Sequence, residues 1–360
     1  MSSPANQQNC FIRYLMNQQT KLTITIKDVA RACGVSTQTI SRVINNRQDV
    51  SSATREKVLA VIDQLGYQPS AMARGMRQGS KTLGVIITGL KYKGISTTLK
   101  GIVQEAEKQD LSIILKELAT FDAKDMHPVI HSLLSHQVRG IIYAAPEVGD
   151  NWLHVNKNMS SSTPPIVFLK GNPASAPMTI STDNFHGAYL VTRHLIEQGY
   201  QKIAHISGPL DWWEARERRR GWQQALIDAG LSAEKYACIE GDWTSEKGLT
   251  AFRELKVQFS QMDAVFAAND QTALAVLHEA WSTGVSVPEK LGVAGYDNIS
   301  ESKYFTPALT TVRQDLHELG ALAVRKILQT QKNKATSKET LPDTILLNPE
   351  LVTRASTLRR

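Results

Sequence analysis

Five side chains near the N-terminus repeat one kind of chemistry. Thr37, Gln38, Ser41, Arg42 and Asn45 share one face at helical spacing, and no acid stands between Asp28 and Asp49. A face that is small, hydrogen-bonding and free of negative charge suits contact with base edges and phosphates of duplex DNA. Gln38 has the amide geometry to pair bidentately with adenine, and Arg42 the fork that matches guanine. Ser36, Thr25 and Asn45 suit phosphate oxygens, and Ser51, at the start of the next helix, is grouped with them. A second set is dispersed along the chain: Asp183, Arg218, Trp243, Asn269 and Asp297. Carboxylates and amides near the ends of apolar runs, with one guanidinium, can each bridge two hydroxyls of a polyhydroxylated ligand. Trp243 can stack on the C–H face of a sugar ring. Tyr92 and Ile95, in "TGLKYKGISTTL", join this set.

Catalytic patterns are missing from the sequence. There is no HExxH, GxSxG, Walker A or GxGxxG, and no His/Cys cluster with metal-ligand spacing, so neither an enzyme nor a metal or cofactor is expected. The three cysteines are scattered, which suggests no disulfide framework and fits a reducing cytoplasm. No apolar run is long enough to span a bilayer, and residues 1–23 lack the apolar core of a signal peptide and read as a disordered extension. Charge is distributed unevenly. Residues 1–81 hold eleven lysines and arginines against four acids, an excess of seven that equals the net charge of the whole 360-residue chain. A cationic head on a neutral body is the pattern of a polyanion binder.

The head needs three helices to present its polar face. The first begins at Ile26, with Thr25 as N-cap and Asp28 completing a capping box, and buries Ile26, Val29, Ala30 and Cys33. Gly34 permits the turn. Ser36 caps a second helix that points Ile40, Val43 and Ile44 inward with Val35, and a third, after Ser51, buries Val58, Leu59, Ile62 and Leu65. The segment "YQPSAMARGMRQGSK" that follows reads as a linker or as a hinge too short to stay helical alone. In the second reading Met76 is an apolar wedge for the minor groove.

Beyond Lys81, short apolar runs alternate with amphipathic segments. Strands are expected at 83–88, 112–118, 140–145, 165–170, 202–208, 264–269 and 291–297, with helices at 98–109, 126–136, 184–198, 216–229, 245–257 and 272–282. Such alternation predicts parallel sheets covered on both faces. The number of strands favours two α/β lobes with a ligand in the crevice between them.

"ITIKDVARACGVSTQTISRVINN", "VSSATREKVLAVIDQLGYQPSAMARGMR", "ISTDNFHGAYLVTRHLIEQGYQKIAHISGPL", "AVFAANDQTALAVL" and "VAGYDNISESKYFTPALTTVRQDLHELG" resemble the LacI/GalR family of bacterial transcriptional repressors, in order from about residue 24 to about 355. The resemblance implies a homodimer that reads a near-palindromic double-stranded operator under the control of a small molecule. It implies that Thr37, Gln38 and Arg42 read bases and that Met76 is the wedge, although the family usually has Leu there and a side chain at Gly75. It also implies that Asp183, Arg218, Trp243, Asn269 and Asp297 line the effector site. "KYKGISTTLKGI" and "GPLDWWEARERRRGW" look most like the sugar-responsive members, those sensing β-galactosides or β-glucosides.

The expected architecture is α plus α/β. An extension over 1–23 precedes a helix-turn-helix domain over 24–68 and a hinge over 69–81. A two-lobed body like that of periplasmic binding proteins follows over 82–355, its chain crossing between lobes near 182, 312 and 340. A stand-alone sugar-binding module of transport type is the alternative, disfavoured by the basic head. "LVTRASTLRR" carries no leucine heptads, so a dimer rather than a coiled-coil tetramer is expected.

Overall fold

The structure is a computed structural model describing residues 24–44, 47, 49–65, 67, 80–121, 125–157, 163–231, 237–333 and 343–359. The extension over 1–23, Asn45, and residues 69–79 of the expected hinge, with Met76, lie outside them. The chain divides into two compact units at Ser80/Lys81.

The head contains α1 (Ile26–Cys33), α2 (Thr37–Ile44) and α3 (Ser52–Leu65). Val29, Ala30, Cys33, Ile40, Val43, Val58 and Val61 form its core with Tyr67. Sequence periodicity put Leu59 inside, but it is 49% exposed, and Val61 is buried instead. On a 3.6-residue helix, 58, 61, 62 and 65 share a stripe, and 59 lies about 100° away.

The body alternates strands and helices in two lobes. The first lobe holds β1 (Thr82–Ile87), α4 (Lys93–Lys108), β2 (Ser112–Glu117), α5 (His127–Ser135), β3 (Gly140–Tyr143), α6 (Asn151–Lys157), β4 (Ile166–Leu169) and β5 (Thr179–Thr182). The second holds α7 (Asn184–Glu197), β6 (Ile203–Ser207), α8 (Trp213–Asp228), β7 (Cys238–Glu240), α9 (Ser245–Gln258), β8 (Ala264–Ala267), α10 (Asp270–Ser282), β9 (Gly292–Ala294) and β10 (Thr311–Arg313). The chain then returns through α11 (Leu316–Asn333) and β11 (Thr344–Leu347) to the first lobe, and through β12 (Glu350–Val352) to the second.

The first sheet has the order β11-β5-β4-β3-β1-β2 and the second β7-β6-β8-β9, every pairing parallel. Near-continuous apolar runs such as "GIIY" and "AVFA" are fully buried, as a sheet covered on both faces requires. The antiparallel pair β10-β12 belongs with the second lobe. The third crossing therefore falls at 348–349 rather than near 340, because β11 pairs with β5 while β12 pairs with β10. The body also runs past 355: Ser356 and Thr357 are fully buried, and Ser356 donates to the carbonyl of Val293.

β5, β7, β10, β11 and β12 are strands that local pattern does not single out. They are three or four residues long, with polar side chains in "TIST", "CIE" and "TVR", and their identity comes from their partners.

Candidate functional site

In the head, local capping fixes the polar face. The Thr25 amide and hydroxyl both donate to the Asp28 carboxylate, at 3.0 and 2.6 Å, and hold it below the usual carboxylate range. Gly34 takes the left-handed conformation, φ 66°, and closes α1. Ser36 Oγ accepts the Thr39 amide at 3.1 Å, and Ser51 Oγ accepts the Thr54 amide at 3.3 Å. Thr25, Ser36 and Ser51 thus sit at helix starts, where unpaired amides and the positive end of the helix favour phosphate. Along α2, Thr37, Gln38 and Arg42 are exposed and Ser41 is half-buried, with Ile40 and Val43 anchoring the opposite side. Arg42 lies 3.6 Å from Asp49, both exposed, an ion pair too weak to hold the guanidinium against a phosphate or guanine.

In the body, a cavity of about 280 Å³ opens between the lobes. Its first-lobe wall is the run from Lys91 to Ile95, at the start of α4, together with Lys170 after β4. Its second-lobe wall comes from C-terminal strand ends and the helices that follow: Trp212, Glu214, Arg218, Trp243, Thr244, Asn269, Gln271 and Asp297. Gln314 and Leu316, on the second crossing, complete it.

Arg218 is the fixed centre. It lies in the second turn of α8 rather than at its start, is 3% exposed, and stacks 3.8 Å above the ring centroid of Tyr296. Its Nε donates to Asn184 Oδ1 at 2.8 Å, one terminal nitrogen donates to the carbonyl of Ala268, and Asp297 lies at 3.7 Å. Gln314 donates to Asp297 at 2.6 Å. Burial pushes the Asp297 carboxyl up, and Arg218 opposes that shift. Behind it Asp270 is pushed up to about 7, by burial and then by the charge of Asp297, although Thr311 and the Ile299 amide donate to it. Lys170, Trp243 and Asp297 all have positive φ (68°, 71° and 108°), so three non-glycine residues of the wall sit in a costly backbone region. Trp212 meets Tyr92 and Trp243 edge-on, with centroids 5.9 and 5.7 Å apart. The Trp243 indole N–H and the side-chain carbonyls of Gln271 and Gln314 are buried without a hydrogen-bond partner among the described residues. The arrangement offers aromatic edges, hydrogen-bond donors and acceptors.

Of the residues expected from sequence, the structure brings Tyr92, Ile95, Arg218, Trp243, Asn269 and Asp297 onto this wall. Asp183 is absent from it. Its carboxylate accepts the His186 amide at 2.9 Å, so it is the N-cap of α7 where the chain enters the second lobe. Glu214, not singled out from sequence, is buried in the wall, whereas Glu217 pairs with Arg220. Sequence reasoning also missed Lys170, Trp212, Gln271 and Gln314. Lys170 ends the apolar run "PIVFLK", the same strand-end signal that marks Asp297; Trp212 lies in "GPLDWWEARERRRGW", and Gln271 two residues after Asn269. Gln314 carries no local signal.

A helix-turn-helix reader followed by a two-lobed α/β body with a cavity between the lobes defines a ligand-responsive DNA-binding regulator. Residues 25–70 match the model of the bacterial regulatory proteins of the lacI family, and residues 192–357 match that of the periplasmic binding protein-like domain. The chain belongs to the LacI/GalR family of bacterial transcriptional regulators. It is 32% identical over 335 residues to the HTH-type transcriptional repressor PurR of Photobacterium profundum, covering 92% of this chain and 98% of that one. It is 32% identical over 333 residues, with the same coverage, to the catabolite control protein A of Priestia megaterium. Among solved structures, the lac repressor dimer bound to operator and an anti-inducer superposes with a TM-score of 0.84 at 30% identity, covering 94% of this chain and all of that one. A complex of the transcriptional regulator CelR with cellobiose superposes with a TM-score of 0.68 at 28% identity, covering 92% and 99%.

Proposed function

We propose that this chain is a homodimeric transcriptional repressor acting in the cytoplasm on the nucleoid, whose grip on a near-palindromic operator is set by a sugar or glycoside in the interlobe cavity. The observation that carries this reading is the pairing of an acid-poor, outward polar face on α2 with a cavity whose wall combines Arg218, Asp297, Asn269 and Trp243. Thr37, Gln38, Ser41 and Arg42 read bases or adjacent phosphates, helped by Asn45; Thr25, Ser36 and Ser51 position the phosphates; Met76 wedges the minor groove. The effector acts by favouring one arrangement of the lobes, and a tenfold change in operator affinity needs about 1.4 kcal/mol of coupling.

The test is a mobility-shift titration on the DNA upstream of the protein's own operon, with and without neutral mono- and disaccharides. Binding should weaken steeply with salt, with a log–log slope of about −0.9 per phosphate contacted. One class of sugar should shift the midpoint. A complex insensitive to salt and to every sugar would end this reading.

A further inference from the structure

We propose that Arg354, in the C-terminal tail and outside the cavity wall, is a positioning residue: it pins Asn298 in the left-handed conformation and so aims the neighbouring Asp297 carboxylate into the cavity. The inference rests on the reading of the cavity as a sugar site. The backbone of Arg354 is itself anchored. Its amide donates to Thr310 Oγ1 and its carbonyl accepts the Thr310 hydroxyl, both at 2.8 Å. Two residues on, Ser356 is fully buried, its amide donating to the Ala308 carbonyl at 3.0 Å and its hydroxyl to that of Val293 at 2.6 Å. The tail is thereby fastened to β9 and to the approach to β10.

From that anchor the guanidinium spans the turn that follows β9. One terminal nitrogen donates to the Leu309 carbonyl at 2.7 Å and to Ser302 Oγ at 3.2 Å, and the other donates to Asn298 Oδ1 at 2.8 Å. All three acceptors are neutral, so the planar fork serves geometry rather than charge pairing, and a lysine ammonium has no second nitrogen with which to bridge them.

The stretch so held is a costly one. Asp297 and Asn298 are consecutive non-glycine residues with φ of 108° and 48°. The Asp297 amide donates to the Val312 carbonyl at 2.8 Å and the Asn298 amide to Thr311 Oγ1 at 3.3 Å, which ties their backbone to β10, while Arg354 holds the Asn298 side chain. The Asp297 carboxylate then accepts Gln314 at 2.6 Å and lies 3.7 Å from Arg218. A change of Asn298 to negative φ would swing the chain on either side of it and carry the carboxylate away from both.

Glycine takes positive φ without steric cost, so Asn298→Gly makes the bond from Arg354 dispensable, and this separates positioning from stability. Tryptophan fluorescence titrations of the full chain with cellobiose, lactose, glucose and galactose, reported by Trp212 and Trp243, are run beside thermal melts. Arg354→Met should weaken the sugar that the wild type binds about tenfold, and Arg354→Lys nearly as much. Adding Asn298→Gly to Arg354→Met should recover most of that loss, to within about twofold of Asn298→Gly alone. The melting point should stay lowered in the double variant, because the bonds to Leu309 and Ser302 are still missing. Should Arg354→Met fail to fold, two single variants decide: Asn298→Ala and Asn298→Gly both lose the bond from Arg354, and Asn298→Ala should bind sugar about fivefold more weakly than Asn298→Gly. Unchanged sugar affinity in Arg354→Met, an equal loss with and without Asn298→Gly, or equal affinities of Asn298→Ala and Asn298→Gly would each overturn the inference and leave the sugar reading standing. Failure of the wild type to bind any of the four sugars removes that reading and this inference with it.

Discussion

Arg218 is held at the cavity wall by contacts that bear on stability and on the proposed sensing alike. Itself buried, it stacks on Tyr296, bonds to Asn184 and Ala268 and faces Asp297. Arg218→Met removes those bonds and leaves Asp297 with Gln314 but without its arginine, so urea unfolding should show a loss of about 3 kcal/mol. Sugar-induced change in operator binding should vanish with it. Asp270 gives a second residue-scale test. Its folded pKa of about 7 lies above the unfolded value of about 3.9, so the folded state holds an extra proton in between. The contribution of Asp270 is thus present below pH 4 and lost as pH rises toward 7, at up to about 1 kcal/mol per unit. His205, buried with a pKa of about 3, acts the other way as pH falls below about 6.5, so the wild-type profile alone mixes the two. Asp270→Asn can keep both hydrogen bonds, and its stability relative to wild type should rise from pH 5 to pH 7.5 in paired denaturant melts.

At the scale of elements, helix starts and helix contacts carry the arrangement. Asp183→Ala removes the cap of α7 and should cost about 1 kcal/mol, with Asp183→Asn near neutral. Sugar affinity measured by fluorescence should stay unchanged in both, since Asp183 is outside the cavity wall. Helices α4 and α11 approach backbone to backbone through two glycines: a Cβ on Gly101 would lie 2.0 Å from the His317 carbonyl oxygen, and one on Gly320 2.2 Å from that of Thr98. Gly101→Ala should therefore destabilise the body by about 1–3 kcal/mol in urea melts despite its better helix propensity. In the head, sequence spacing already places α1, α2 and their caps, because capping is a contact between residues three apart. Lobe packing depends on residues more than 200 apart, such as Gly101 and His317, and no local pattern reports it.

For the molecule as a whole, sensing requires that ligand free energy reach both stability and DNA affinity. A sugar at 100 times its dissociation constant should add about 2.7 kcal/mol to the stability of the body, visible as a higher Tm in thermal-shift scans. The same sugar should raise Tm equally in a chain lacking residues 1–80, because every residue of the cavity wall lies in the unit from Lys81 onward. That truncated chain should lose salt-sensitive DNA binding, since the whole positive excess of the sequence is removed with the head, apart from Lys81.

Sequence by itself determined the features that are local. The polar face of α2, its caps, the cationic head, the alternation of seven apolar strands with helices, and the strand-end residues Asn269 and Asp297 are all set by neighbours a few positions away. Tertiary structure decided what depends on distant partners. It turned Asp183 from a wall residue into a cap, drew Glu214 inward, and made strands of "TIST" and "TVR" by giving them neighbours to pair with. It also brought Lys170 and Glu214, over forty residues apart in sequence, to the lining of one cavity. Hydrogen bonding and capping act within a turn of chain, whereas burial and charge balance are properties of the space that the folded chain encloses.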